Sequence, residues 1–354
     1  MNSKKRLSAS ALAAALSVLA GCTAVQESTP PNTLVAAKVG SAPNMAAGAA
    51  DPVWAAARPL TVALTDGANF GARPGEKGDT KATLKAVYAG DMLYLLIQHA
   101  DPTLSKRRGP YQKQADGSWK KLTDPEDKGG DDNVYYEDKW AMLWPIDNSI
   151  KAFDKEGCAA LCHLEKTKPY GNKYTAREGE LGDIWHMKGS RTAPNGFVDD
   201  QYVDHTRWDK TASPNAGRKN EPGTATGEYK SFPLVAGKPQ FMNRDGKPLN
   251  AGGTEYIKDG EQVAFDDSRF KPGDEVASFV IYPLQGDRAD VRVAVSWRDG
   301  IYTSVVSRKL VTGSKYDVQF SDLGARYGFG FAAFDNAQVR HATSDDPLYM
   351  VFGK

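Results

Sequence analysis

Apolar residues in this chain recur with a period of two, in segments too short for most helices and separated by turn residues. The clearest are Leu60–Leu64, Thr83–Ala89, Met92–Gln98, Lys139–Pro145, Val276–Tyr282, Val291–Trp297, Tyr302–Ser307, Tyr316–Phe320 and Tyr327–Phe334. Successive side chains of a strand point to opposite faces, so alternation of this kind marks strands with one buried face. Few segments carry a long helical period. The run KAVYAGDMLYLLIQHAD reads as a hairpin, with Ala89-Gly90-Asp91 at its turn. With 34 glycines and 20 prolines to break the strands, the expected fold is mainly β: a β-sandwich with long loops and a few short helices.

Two polar stretches, roughly 106–132 and 206–264, hold turn residues and little periodicity, and read as long loops. No internal repeat is visible. The 45 Lys and Arg residues nearly balance the 44 Asp and Glu, which argues against nucleic acid or a strongly charged partner.

The N-terminus sets the compartment. Lys4, Lys5 and Arg6 precede an apolar run from Leu7 to Ala20 that has the layout of an export signal and is too short for a permanent span. Leu19-Ala20-Gly21-Cys22 resembles a bacterial lipobox, whose cysteine is acylated and becomes the mature N-terminus. Residues 1–21 are then a lipoprotein signal peptide, 22–50 a lipid-attached flexible linker rich in Ala, Pro, Ser and Thr, and 51–354 the folded domain. Thr23 is not the aspartate that retains enteric lipoproteins at the inner membrane. The expected location is the cell envelope, on the outer membrane facing the periplasm.

With Cys22 assigned to lipid, Cys158 and Cys162 remain, in EGCAALCHLEK. Haem attachment needs two thiols near the two vinyl groups and an imidazole from the same short segment; the usual signature is C-x-x-C-H. Here three residues separate the cysteines and His163 follows the second, a spacing that a backbone bulge can absorb. Competing readings stay open. A disulfide suits an exported protein but leaves His163 without a purpose. A zinc site needs about four ligands, and this segment offers three. A redox dithiol usually has two intervening residues in a βαβ context.

Blocks along the chain resemble, in order, the haem-binding domain of the ethylbenzene dehydrogenase gamma-subunit family: DPVWAAARPLTVAL, KAVYAGDMLYLLIQHADPT, YYEDKWAMLWPI, LGDIWHMKGSR, DVRVAVSWRDGIYTSVVSRKLVTGSKYDVQF and YGFGFAAFDNAQVRHATSDDPLYMVFG. The resemblance runs from about Asp51 to the C-terminus. That family includes haem subunits of type II dimethyl-sulfoxide-reductase-like enzymes and related monohaem c-type cytochromes. Its fold resembles a family 9 carbohydrate-binding module. Its gamma subunits hold a b-type haem through methionine and lysine, the methionine in the loop after the DKWAMLWPI-like strand. Here that loop carries Cys158, Cys162 and His163. The resemblance therefore implies the same pocket with one covalently attached haem c and His163 as an axial ligand. The second ligand would come from the last segment, where His341 is the nearest iron-binding side chain. Met187 and His186 compete with it; Met350, Met242, Met142, His99 and His205 read as packing or solvated residues. Trp185 reads as sandwich core, haem contact or both. Lys188 and Arg191 are candidates for the haem propionates.

Two histidine ligands leave iron no open position, so the expected role is single-electron relay between redox donor and acceptor proteins of the envelope, not catalysis. Three alternatives are carried forward. One is a carbohydrate-binding lipoprotein with a Cys158–Cys162 disulfide, using aromatics such as Trp119 and Trp208. The second is the haem subunit of a molybdenum oxidoreductase complex, and the third an open-site haem peroxidase or gas sensor.

Overall fold

Tyr327–Phe334, one of the expected strands, lies inside the main sheet of the protein. A computed structural model describes residues 30–72, 76–125, 134–162, 173–214, 216–223, 227–344 and 346–354. Thirteen strands build the main sheet: β1 Thr33–Lys38, β2 Leu60–Gly67, β3 Gly78–Ala89, β4 Met92–Ala100, β5 Lys139–Pro145, β6 Gly182–Lys188, β7 Asp199–Val203, β8 Lys219–Asn220, β9 Arg292–Arg298, β10 Ile301–Lys309, β11 Tyr327–Phe334, β12 Ala342–Thr343 and β13 Leu348–Phe352. Their order is β8-β7-β6-β5-β11-β12-β2-β3-β4-β10-β9, with β1 between β3 and β13, and β13 also on β11. Within this sheet, among the described residues, only the two pairings of β1 are parallel.

The sheet folds back on itself. Trp140 of β5 donates its indole N–H to Ser304 Oγ of β10 at 3.0 Å, and Arg308 of β10 lies over the ring of Trp185 of β6 at 5.2 Å. These strands are far apart in the ladder yet touch through the interior, which makes a two-layer β-sandwich. Alternation decides what fills it. Trp140, Met142 and Trp144 of β5, Trp185 and Met187 of β6, and Leu93, Leu95 and Ile97 of β4 all enter one core. The expected hairpin forms: Ala89 pairs with Met92 across a two-residue loop, and Gly90 has φ 58°, the positive value a type II′ turn needs at its first central residue.

Four expectations need correction. Thr33–Lys38, inside the segment expected to be linker, is a strand. Tyr316–Phe320 is not a strand; it is pinned irregularly, with Phe320 N–H on Leu310 O and Val318 N–H on Asp183 Oδ2. Val276–Tyr282 divides into two short strands, Glu275–Val276 and Phe279–Ile281. These short strands join others from the two polar stretches around a second core of Tyr111, Trp119, Phe232, Ile257, Phe270 and Val280. Much of those stretches is therefore a small satellite, not open loop.

Candidate functional site

The outer faces of β5, β6 and β11 form a nearly regular grid. Gly330, Leu143 and Ile184 make one row; Ala332, Ala141 and His186 the next; Phe334, Lys139 and Lys188 the third. Alanines in the middle row keep the floor low. Above it lies a cavity of about 450 Å³, which also reaches Cys158, Arg191, Arg218 and His341. That volume is within the range of cofactor sites, about 300–1,000 Å³.

Cys158 is brought to the first row by glycines. The short helix α1, Phe153–Glu156, ends at Gly157, whose φ of 56° turns the chain before α2, Ala159–Cys162. A Cβ on Gly330 would lie 2.4 Å from Cys158 Cβ, and one on Gly328 would lie 2.6 Å from the Phe153 ring. Bare backbone on β11 thus lets α1 and Cys158 sit directly on the sheet. Cys158 Sγ is 3.2 Å from Thr343 Oγ1. Cys162 closes α2, and its side chain is outside what is described. Cys22 and His163 lie outside the described residues.

The third row is cationic. It is about 13 Å from the first, four residues along a strand. Lys139 is buried, and burial, then the nearby Arg191, hold its pKa well below the usual range for lysine. Its ammonium donates to Gln338 O at 3.0 Å and sits 4.1 Å from the centre of the Phe334 ring. Neither Lys139 nor Arg218 has an ion pair among the described residues, and Arg218 Nε is buried without a hydrogen bond. Lys188 and Arg191 differ. Lys188 binds Asp199 and Glu228, and Arg191 binds Glu137 and Glu228. Arg288 completes the network, 2.5 Å from Asp199 and 2.8 Å from Glu228. Arg108 also approaches Glu137 at 3.8 Å, so four cations meet three carboxylates. Lys188 is not at the cavity, contrary to expectation; Arg191 lines it with its charge already compensated.

Two imidazoles reach the cavity. His341, in the turn between β11 and β12, donates its Nδ1–H to Val339 O at 2.9 Å and lies 4.8 Å from the Phe334 ring. His186 is buried, and neither ring nitrogen has a hydrogen-bond partner among the described residues. Burial, then Arg218 and Lys188, push its pKa well below the usual histidine range, so it is neutral. Trp185 points the other way, into the core against Trp144 at 5.1 Å, and does not line the cavity. Met142, Met187 and Met350 are buried in the same core, Met242 is in the satellite, and His99 stacks on Tyr302. Trp119 is buried in the satellite core, so it offers no stacking surface; Trp208 is 43 % exposed.

Lys139 and Arg218 were missed from sequence. A signal existed for Lys139: KWAMLWP and GDIWHMK are apolar on both faces, so the outer face of β5 and β6 must be covered too. Arg218 lies in a polar stretch with no pattern to single it out.

The fold and the site define a β-sandwich with a cofactor-sized cavity on the outer face of one layer. Residues 51–345 match the profile of the family described as ethylbenzene dehydrogenase, and the chain belongs to that family. No curated protein matches the sequence. Among solved structures, a family 9 carbohydrate-binding module from Caldicellulosiruptor kristjanssonii is similar in its complexes with glucose and with cellotriose. In both, identity is 9 % over 91 % of this chain and 95 % of that one, with TM-scores of 0.33 and 0.32.

Proposed function

We propose that this chain is a cell-envelope electron-transfer protein with one covalently attached haem c, and not an enzyme in its own right. The observation that carries the reading is the polarity of the cavity: Cys158 at one end, His341 on the wall, and Lys139 and Arg218 at the other end with no carboxylate ion pair among the described residues. Cys158 and Cys162 would provide the two thioether links and His163 one axial imidazole. A haem c supplies reversible one-electron chemistry when bound.

His341 is the better second ligand. Its Nδ1–H bond to the Val339 carbonyl fixes the ring and makes Nε2 the basic nitrogen, an outer hydrogen bond typical of metal-ligating histidines. His186 has no such orienting bond and is suited to a hydrogen bond along the cofactor's edge. Lys139 and Arg218 would meet the propionates in place of Lys188, with Arg191 behind them. Two histidine ligands, His163 and His341, would leave the metal no site for substrate, which favours relay over catalysis. The lipobox at Cys22 supports a lipid-anchored protein on the outer membrane facing the periplasm, exchanging electrons with donor and acceptor proteins there.

Protein matured in the periplasm should show a low-spin Soret spectrum and keep its haem through acid–acetone extraction. His341→Ala should become high-spin, whereas His186→Ala should remain low-spin. A colourless protein sinks the proposal, and an unchanged spectrum in His341→Ala removes that ligand.

A further inference from the structure

On the inner face of β6 and β7, away from the cavity, four buried carboxylates converge. Asp183 and Asp200 project inward with Trp185, which pairs with Asp200 across the ladder. Asn220 pairs with Gln201, so the next residue, Glu221, falls opposite Asp200 on the same face. Asp317 closes the group from the irregular segment after β10. Single oxygens of Asp183, Asp200 and Asp317 all lie within 4.8 Å of one another. Glu221, 3 % exposed, faces Asp317 and Asp183.

The hydrogen-bond pattern separates two sets of oxygens. Asp183 Oδ2 accepts from Val318 N–H at 2.9 Å and from the Trp185 indole at 3.1 Å. Asp317 Oδ2 accepts from Thr312 and pairs with Arg308 at 3.0 Å. Asp183 Oδ1, Asp317 Oδ1 and both oxygens of Asp200 and Glu221 are buried with no N–H or hydroxyl donor among the described residues; they meet one another instead, Asp200 facing Asp183 and Glu221 facing Asp317. One guanidinium, Arg308, faces four carboxylates, and buried carboxylates without donors are costly. The other buried acidic group, Asp101, Asp138 and Asp335, contrasts with it. There Thr103, Ser105, Tyr302, Asn336 and Phe70 donate to the carboxylates, and only Asp101 Oδ2 goes without.

We propose that Asp183, Asp200, Glu221 and Asp317 bind a calcium ion that fastens the 311–320 segment to β6, β7 and the end of β8. The donors are all hard oxygens, with no nitrogen or sulfur, and their number suits the six to eight oxygens of calcium. Oxygens about 2.4 Å from one ion lie within about 4.8 Å of each other, as single oxygens of Asp183, Asp200 and Asp317 do, with Glu221 beside them. Magnesium is smaller and usually keeps several waters. Arg308 stays outside the ligand set, on the donor-satisfied oxygen of Asp317. The site is independent of the haem reading, because it uses the opposite face of β6.

The test is calcium content and thermal midpoint of the full chain, after dialysis against chelator and after return of calcium or magnesium. The expected result is one equivalent of calcium per chain and a midpoint that drops in chelator and recovers with calcium but not with equal magnesium. The double variant Asp200→Asn, Glu221→Gln should lose both the bound calcium and the calcium-dependent shift. Should that variant fail to fold, the wild-type chelator experiment alone decides. No bound calcium at millimolar concentration, or an equal response to magnesium, overturns the proposal.

Discussion

Asp101 and Asp138 share the interior of the sandwich with Asp335, and Tyr302 donates its hydroxyl to Asp138 at 2.9 Å. Burial, then the charges of Asp138 and Asp335, push the Asp101 carboxyl up to about 9; burial and Asp335 push Asp138 up to about 8. Both bind protons more tightly folded than unfolded, where carboxyls titrate near about 3.9. Their contribution to stability is therefore complete below about pH 4 and is lost as pH rises towards the folded-state values. Asp101→Asn fixes the uncharged form and keeps an acceptor for the Thr103 N–H. Its thermal midpoint should fall less steeply than that of the wild type from about pH 5 to 9, and parallel curves would refute the cause. At this scale sequence reading was uneven. Cys158 and His341 stood out because their chemistry is rare in the chain, and the fold brings both to one cavity. Trp185, Lys188, Lys139 and Arg218 could not be sorted, since strand phase and ion pairing depend on long-range partners.

Among elements, β5 and β11 were legible to the residue, because both are short apolar runs rich in aromatic residues and flanked by turn signals. β1 was not. TLVAAK lies in a run of Ala, Pro and Gly, and its partners are β3 and β13, the latter more than three hundred residues away. Leu34 nonetheless has no exposed surface and belongs to the main core. Leu34→Ala should cost about 2–5 kcal/mol in urea unfolding; a residue of a flexible linker would show no loss. The Tyr316–Phe320 segment failed the other way. It alternates like a strand, but Asp317 and Val318 are held by Arg308, Thr312 and Asp183 and not by a ladder.

Across the whole molecule, the buried network of Lys188, Arg191, Arg288, Glu137, Asp199 and Glu228 ties the sandwich to the satellite, since Glu228 directly precedes the satellite strand Tyr229–Ser231. Direct pairing of each carboxylate with at least two cations explains how these ions stay out of water. Asp199→Ala leaves Lys188 and Arg288 to share Glu228 and should cost about 3–5 kcal/mol, read as a lower urea midpoint; a loss below about 1 kcal/mol would show the network to be dispensable. Under the lipid anchor proposed at Cys22, the place of β1 would also limit how far the protein travels. An acylated Cys22 is eleven residue steps from Thr33, a contour of at most roughly 40 Å. That is little more than the roughly 30 Å diameter of a small domain. The leash would confine the protein to a thin layer over the lipid, where its local concentration is high and only partners at the same surface are within range.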